Sequence, residues 1–95
     1  MAITILIPAP MRGLTGNQAR VAVEGGATVG EVLTTLAEQY PGVGPRLFDG
    51  PGRLRRFVNI YKNGDDVRGL DGAGTPVGDG DEIGIIPAMA GGAAA

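Results

Sequence analysis

The chain contains no cysteine, no histidine and no tryptophan in 95 residues. Without cysteine there is no disulfide, no thiolate metal site and no thiol nucleophile. Without histidine as well, the usual zinc sites and the Ser-His or Cys-His nucleophilic pairs cannot be assembled from this chain alone. Excess positive charge is missing too: the net charge is −2 and the pI about 4.9, which argues against a nucleic-acid binder. Long hydrophobic runs are lacking. The N-terminal Met1 to Pro8 has no basic leader, its apolar run is too short for a secretion signal, and no stretch approaches the length that spans a bilayer. A soluble cytoplasmic protein with neither nucleic-acid nor membrane partners is expected. The length allows one modest core without covalent or metal staples.

What is present reads as short strands and one helix. Ile3 to Ile7 is a β-branched run bounded by Pro8 and Pro10, with Ile3, Ile5 and Ile7 on one face and Leu6 on the other. Residues 8–17 read as a loop, and Gln18 to Glu24 as a second strand pairing back antiparallel, with Val21 and Val23 inward. Thr28 and Glu31 fit a capping box, followed by a single apolar helical stripe of Val29, Val32, Leu33, Leu36, Ala37 and Tyr40. The helix is placed at 29–39 and stopped by Pro41-Gly42.

Residues 41–53 are rich in proline and glycine; a short helical turn tucking Leu47 and Phe48 under the sheet is expected there. Residues 55–62 alternate as a strand, with Val58 and Ile60 on one face and Phe57 and Tyr61 on the other. Asn63-Gly64 predicts a type I′ turn into a return strand at 66–68. Residues 69–80 read as irregular, with Val77 touching the core. The final strand is 82–87, with Ile83 and Ile85 inward, Ile86 outward and Pro87 at its end. The order is β-β-α-β-(β)-β, an α+β β-grasp with a mixed four- to five-stranded sheet and the helix on one face.

The chain then leaves through Pro87-Ala-Met-Ala-Gly91-Gly92, followed by Ala93, Ala94 and Ala95. Two adjacent glycines have no Cβ, so this backbone can lie extended in a narrow channel. A domain at 1–87, a flexible tail at 88–92 and a removable extension at 93–95 are expected. With this order and this ending, the chain resembles the ubiquitin-like sulfur carriers of the ThiS/MoaD family over residues 2–92. Leu54 to Asn63, then Asp65-Asp66-Val67-Arg68, and the insertion Gly42 to Gly52, are most similar to the type that supplies sulfur for cysteine synthesis (the CysO type).

The resemblance implies a carrier and not an enzyme. An E1-like enzyme would adenylate the Gly92 carboxylate with ATP, and sulfur would displace AMP to leave a thiocarboxylate. A PLP-dependent cysteine synthase would take the sulfur, and a metalloprotease would release the product. ATP, PLP and zinc belong to those partners, and this chain binds no cofactor. Ala90 and Gly91 form the tail with Gly92, and Phe57, Tyr61, Ile86, Pro87 and Met89 are the expected partner-binding residues. Because the carboxylate must be free, Ala93–Ala95 is either a native pro-segment or a remnant of cloning, and the chain as written is an inactive precursor. Delivery to molybdopterin, thiamine or thiolated tRNA, and action as a ubiquitin-like modifier or interaction module, remain open alternatives.

The residues agree with that division of labour. A carboxylate is a poor acyl donor until activated, and Gly72, Gly74 and Gly78 do not match the phosphate-cradling G-x-x-x-x-G-K-[S/T] pattern. Arg53, Arg55 and Arg56 read as a solvated basic face, since no aromatics are interleaved. Asp79, Asp81 and Glu82 lack the twelve-residue calcium-loop pattern and read as a turn before the last strand. Lys62 is the only lysine, which leaves few attachment points for self-linked chains.

Overall fold

A computed structural model describes residues 2–50 and 53–87; the expected tail at 88–92 and Ala93–Ala95 lie outside them. Alternation of side chains sets β1 (Ala2–Leu6), in which Ile3 and Ile5 are fully buried and Ala2, Thr4 and Leu6 are half-covered. It pairs antiparallel with β2 (Arg20–Glu24), Ile3 opposite Val23 and Ile5 opposite Val21. The connection is more ordered than a loop: Ala9–Leu14 forms a 3-10 turn that buries Met11. The second strand starts at Arg20 and not at Gln18. Gly16 and Asn17 take positive φ, and the Gln18 amide turns back to donate to the Thr15 carbonyl and the Tyr40 hydroxyl.

The helix α1 (Val29–Gln39) has the expected bounds, and Val29, Val32, Leu33 and Leu36 are buried along its stripe. The Glu31 N–H donates to Thr28 Oγ1 at 3.2 Å. The Glu31 carboxylate accepts from the N–H of Ala27 at 2.8 Å, one residue earlier than a reciprocal capping box requires. A strand-like bridge from Thr28 to Pro76 shapes this start: Val29 N–H donates to the Thr75 carbonyl at 2.9 Å and Val77 N–H to that of Ala27 at 3.0 Å. The stretch 69–80 is therefore anchored, with Thr75 buried and Val77 packed against the core.

After α1, a turn at Pro41–Val43 and the one-turn α2 (Gly44–Leu47) bury Val43 and Leu47 completely. Phe48 is only half-buried. It opens β3 (Phe48–Gly50), which pairs with β4 (Arg53–Leu54) in a two-stranded ribbon that the proline- and glycine-rich sequence conceals. β5 (Val58–Lys62) begins three residues later than the alternation suggests. Arg55 donates its N–H to the Leu47 carbonyl, and the Val58 N–H donates to the Arg55 carbonyl, so residues 55–57 turn instead of pairing.

Asn63 and Gly64 have φ of 50° and 91°, as the turn requires, and lead to β6 (Asp65–Asp66). The return strand is thus shorter and earlier than expected. The Asp66 carboxylate caps the next turn by accepting from the Arg68 N–H, which ends pairing and buries Val67. β7 (Glu82–Pro87) completes a five-stranded sheet in the order β2-β1-β7-β5-β6. β7 runs parallel to β1 and antiparallel to β5. One face of this mixed sheet packs on α1, which is the ubiquitin-like β-grasp. Ile3, Ile5, Ile60, Ile83, Leu33, Leu36 and Leu47 fill the space between them, each contributing about 1.5–3 kcal/mol by burial.

Candidate functional site

The strand that leads toward Gly92 occupies the middle of the sheet. Its start is fixed by a polar knot. Asn63 donates its N–H to the Glu82 carbonyl at 2.8 Å, and its side-chain oxygen accepts from the Glu82 N–H at 2.9 Å. Asp81 accepts from the Asn63 amide at 3.0 Å and from the Gly78 N–H at 2.7 Å, with the Lys62 ammonium 3.8 Å away. The hydrogen bond from Asn63 and then that from Gly78, helped by the Lys62 charge and opposed by partial burial, hold the Asp81 carboxyl below its ordinary value. Asp79 accepts from the Ala2 N–H at 2.7 Å, and Glu82 lies 3.5 Å from Arg20. The three acidic residues at 79–82 are thus each engaged by donors of the protein, as a turn stapled to the sheet.

At its other end β7 finishes with Pro87 opposite Val58, the first residue of β5. On the sheet face away from α1, register sets Leu6 and Tyr61 on either side of Gly84, and Ile86 beside Asn59. Tyr61 is half-buried and Ile86 is 51% exposed. Phe57, 68% exposed, does not share the strand with Tyr61; it stands in the turn before β5, with the Arg56 guanidinium 6.0 Å from its ring centre. Ala90, Gly91, Gly92 and Met89 lie outside the described residues, and of Pro87 only the backbone pairing is described.

Arg68 is a contributor that the sequence pattern did not single out. Its guanidinium donates to Asn59 Oδ1 at 2.6 Å, to the Val58 carbonyl at 3.1 Å and to the Arg56 carbonyl. It ties the turn carrying Phe57 to the strand beside Ile86. Its place one residue beyond Val67, which is buried at the end of the hairpin, was the available clue.

Among the described residues no group of three or more acidic or imidazole-type ligands is placed to hold a metal ion. No helix there is long and apolar enough to cross a membrane. The glycine-rich segment forms a 3-10 turn at Gly72–Gly74 and runs on to a strand, without the loop-then-helix of a phosphate cradle. The geometry offers a strand paired on both sides, with an exposed apolar margin at Ile86.

The ThiS family profile matches residues 5–92. The sulfur carrier protein CysO of Mycobacterium tuberculosis is 46% identical over 94 residues, spanning 97% of this chain and 100% of its own. A crystal structure of the Amycolatopsis orientalis BexX/CysO complex contains a chain that superposes with a TM-score of 0.86 at 38% identity, covering 93% of this chain and 97% of that one. Small archaeal modifier protein 3 of Haloferax volcanii is 43% identical over 70 residues, 74% of this chain and 75% of its own. These relatives are named as carriers and modifiers, not as enzymes. With the profile spanning most of the chain and the β-grasp in place, this protein belongs to the ThiS family, as a ubiquitin-like sulfur carrier of the CysO type.

Proposed function

We propose that the chain carries sulfur on the carboxyl carbon of Gly92, as a thiocarboxylate made by an E1-like enzyme and used in cysteine synthesis. The carboxylate oxygen attacks the α-phosphorus of ATP and pyrophosphate leaves. A hydrosulfide equivalent held by the loading machinery then attacks the carbonyl carbon, and AMP leaves. The acceptor is a PLP-dependent cysteine synthase, and a metalloprotease frees the product. ATP, PLP and zinc act on those partners, and the chain supplies the acyl group and the surface that presents it.

The observation that carries this reading is the setting of β7. The strand is held by neighbours on both sides and by the knot at Asn63 and Asp81, and it ends five residues before Gly92. Such a strand fixes the point where the chain leaves the sheet, at Pro87 opposite Val58, and Phe57, Tyr61 and Ile86, together with Pro87 and Met89, are the residues proposed to meet the partner. Exposed apolar side chains at such a margin suit a partner that buries them.

Intact mass spectrometry tests it. A chain ending at Gly92, incubated with the E1-like enzyme, ATP and a sulfide source, is expected to exchange one oxygen for sulfur. The chain with Ala93–Ala95 should do so only after those residues are removed. An unchanged mass, with a related carrier loaded in parallel, rejects the reading. The resemblance to a small archaeal modifier supports a second reading, in which Gly92 forms an amide with a protein lysine. Conjugates that survive thiol and hydroxylamine treatment would favour it.

A further inference from the structure

Along the start of β5, the strand paired with the end of β7, lies a groove of about 410 Å³ whose lining includes Arg53, Arg55, Arg56 and Arg68, with Val58 and Val67. No acidic residue lines it. These four arginines are half of the eight basic residues in a chain of net charge −2. Sequence separates Arg68 from the others; the fold brings it back through the β5–β6 hairpin.

Two of the guanidiniums, those of Arg55 and Arg68, are held by neutral partners. Arg68 bonds the Asn59 amide and two carbonyls, and Arg55 donates to the Pro45 carbonyl at 2.6 Å. Arg53 alone has a carboxylate, Asp49 at 3.8 Å, with both side chains largely exposed. Among the described residues Arg55, Arg56 and Arg68 have none. Carbonyl oxygens orient a guanidinium without cancelling its charge, so the groove keeps a net positive field in a low-dielectric wall. The opposite end of the sheet carries Asp79, Asp81 and Glu82, as well as Asp65, while Asp66 caps the Arg68 N–H beside the groove. The molecule is therefore polar along β7, positive where the strand ends and negative where it begins.

We propose that this groove is a docking site for an acidic segment of the enzyme that receives the tail, with Asp or Glu side chains seated on Arg53, Arg55, Arg56 and Arg68. The identity of that enzyme rests on the carrier reading above. Charge complementarity selects the occupant: four arginines lining one groove with no acidic residue in that lining favour carboxylates, which a guanidinium can bind in a bidentate pair. The same field orients the carrier during encounter, turning the end of β7 toward the partner and the acidic end away. Apolar contacts at Phe57 and Ile86 then fix the complex at short range.

The test uses a charge-reversal pair and a charge-matched control. Arg53→Glu with Arg56→Glu changes the groove, whereas Arg20→Glu with Arg46→Glu makes the same net change elsewhere. Binding of fluorescein-labelled poly-L-glutamate is read by anisotropy at low and high salt. The groove pair is expected to weaken binding about tenfold or more and to flatten its salt dependence, and the control pair to change it little. Equal losses in both pairs overturn the proposal, as does a wild-type chain that prefers an RNA homopolymer to polyglutamate. Sulfur loading separates this from the carrier reading. If the wild-type chain, ending at Gly92, gains no sulfur, the carrier reading fails. If it does, the groove pair should reach the same final mass with a raised KM, and an unchanged KM overturns the docking proposal.

Discussion

Two residues show how much of this fold depends on single atoms. Gly26 has φ of +92°, and a Cβ built there falls 2.8 Å from Val32 Cγ2. Both the backbone conformation and the space demand glycine. Gly26→Ala is expected to cost about 1–3 kcal/mol in urea unfolding, whereas an alanine at Gly13, where nothing lies within 4 Å and φ is ordinary, should cost far less. Asp81 provides the second case. Its carboxyl is held below the ordinary 3.8 in the folded chain. The stability it provides is complete above that unfolded value and is lost as pH falls through the folded one. Thermal melts should therefore fall off below about pH 4 in the wild type, and less steeply in Asp81→Asn. Parallel curves would remove Asp81 from the knot.

Among the elements, legibility followed periodicity. α1 was read to the residue, because Thr28 caps it, its stripe repeats over three turns and Pro41 stops it. The inward residues of β1, β2, β5 and β7 were read correctly for the same reason: alternation leaves one assignment for each isoleucine and valine. The errors fall where order comes from side-chain hydrogen bonds or distant backbone pairing. Gln18 left its strand to bond Thr15 and Tyr40, Arg55 was drawn to Leu47, and β3 and β4 find each other across a proline- and glycine-rich run. None of these leaves a period in the sequence. The helix start illustrates the mixture, since the capping threonine was readable but the bridge from Thr28 to Pro76 was not. Thr28→Ala should destabilise the chain by about 1 kcal/mol in urea titrations, with an unchanged m-value because the core stays the same.

For the molecule as a whole, the two faces of one sheet differ in kind. The face on α1 is dry and aliphatic, and the other carries Leu6, Tyr61 and Ile86 with Gly84 among them. Phe57→Asp and Ile86→Asp are expected to leave the melting temperature within a few degrees, surface changes being within about 0.5 kcal/mol, while weakening the complex with the E1-like enzyme in calorimetry. Unchanged affinity would move the docking surface elsewhere. Gly92→Leu makes the complementary separation under the proposed function: binding should persist, but sulfur acquisition measured by mass should collapse, because a branched side chain replaces the Cβ-less end proposed to enter the partner. Of the candidate site, sequence revealed the outward side of the sheet, with Tyr61 and Ile86 on it, but placed Phe57 on a strand where the structure has a turn. The electrostatic groove stayed hidden because Arg68 joins Arg53, Arg55 and Arg56 only after a hairpin has formed.

The central place of β7 also bears on how the chain matures during synthesis. The β1–β2 hairpin and the β5–β6 ribbon are both translated before the strand that joins them. A two-stranded ribbon alone is marginal in water. Until residues 82–87 pair with both, the chain has two unjoined pieces with unpaired edges. Closure of the sheet must wait for the segment immediately before Gly91-Gly92. The fold is therefore completed by its last strand, and the two pieces on either side depend on β7 for closure.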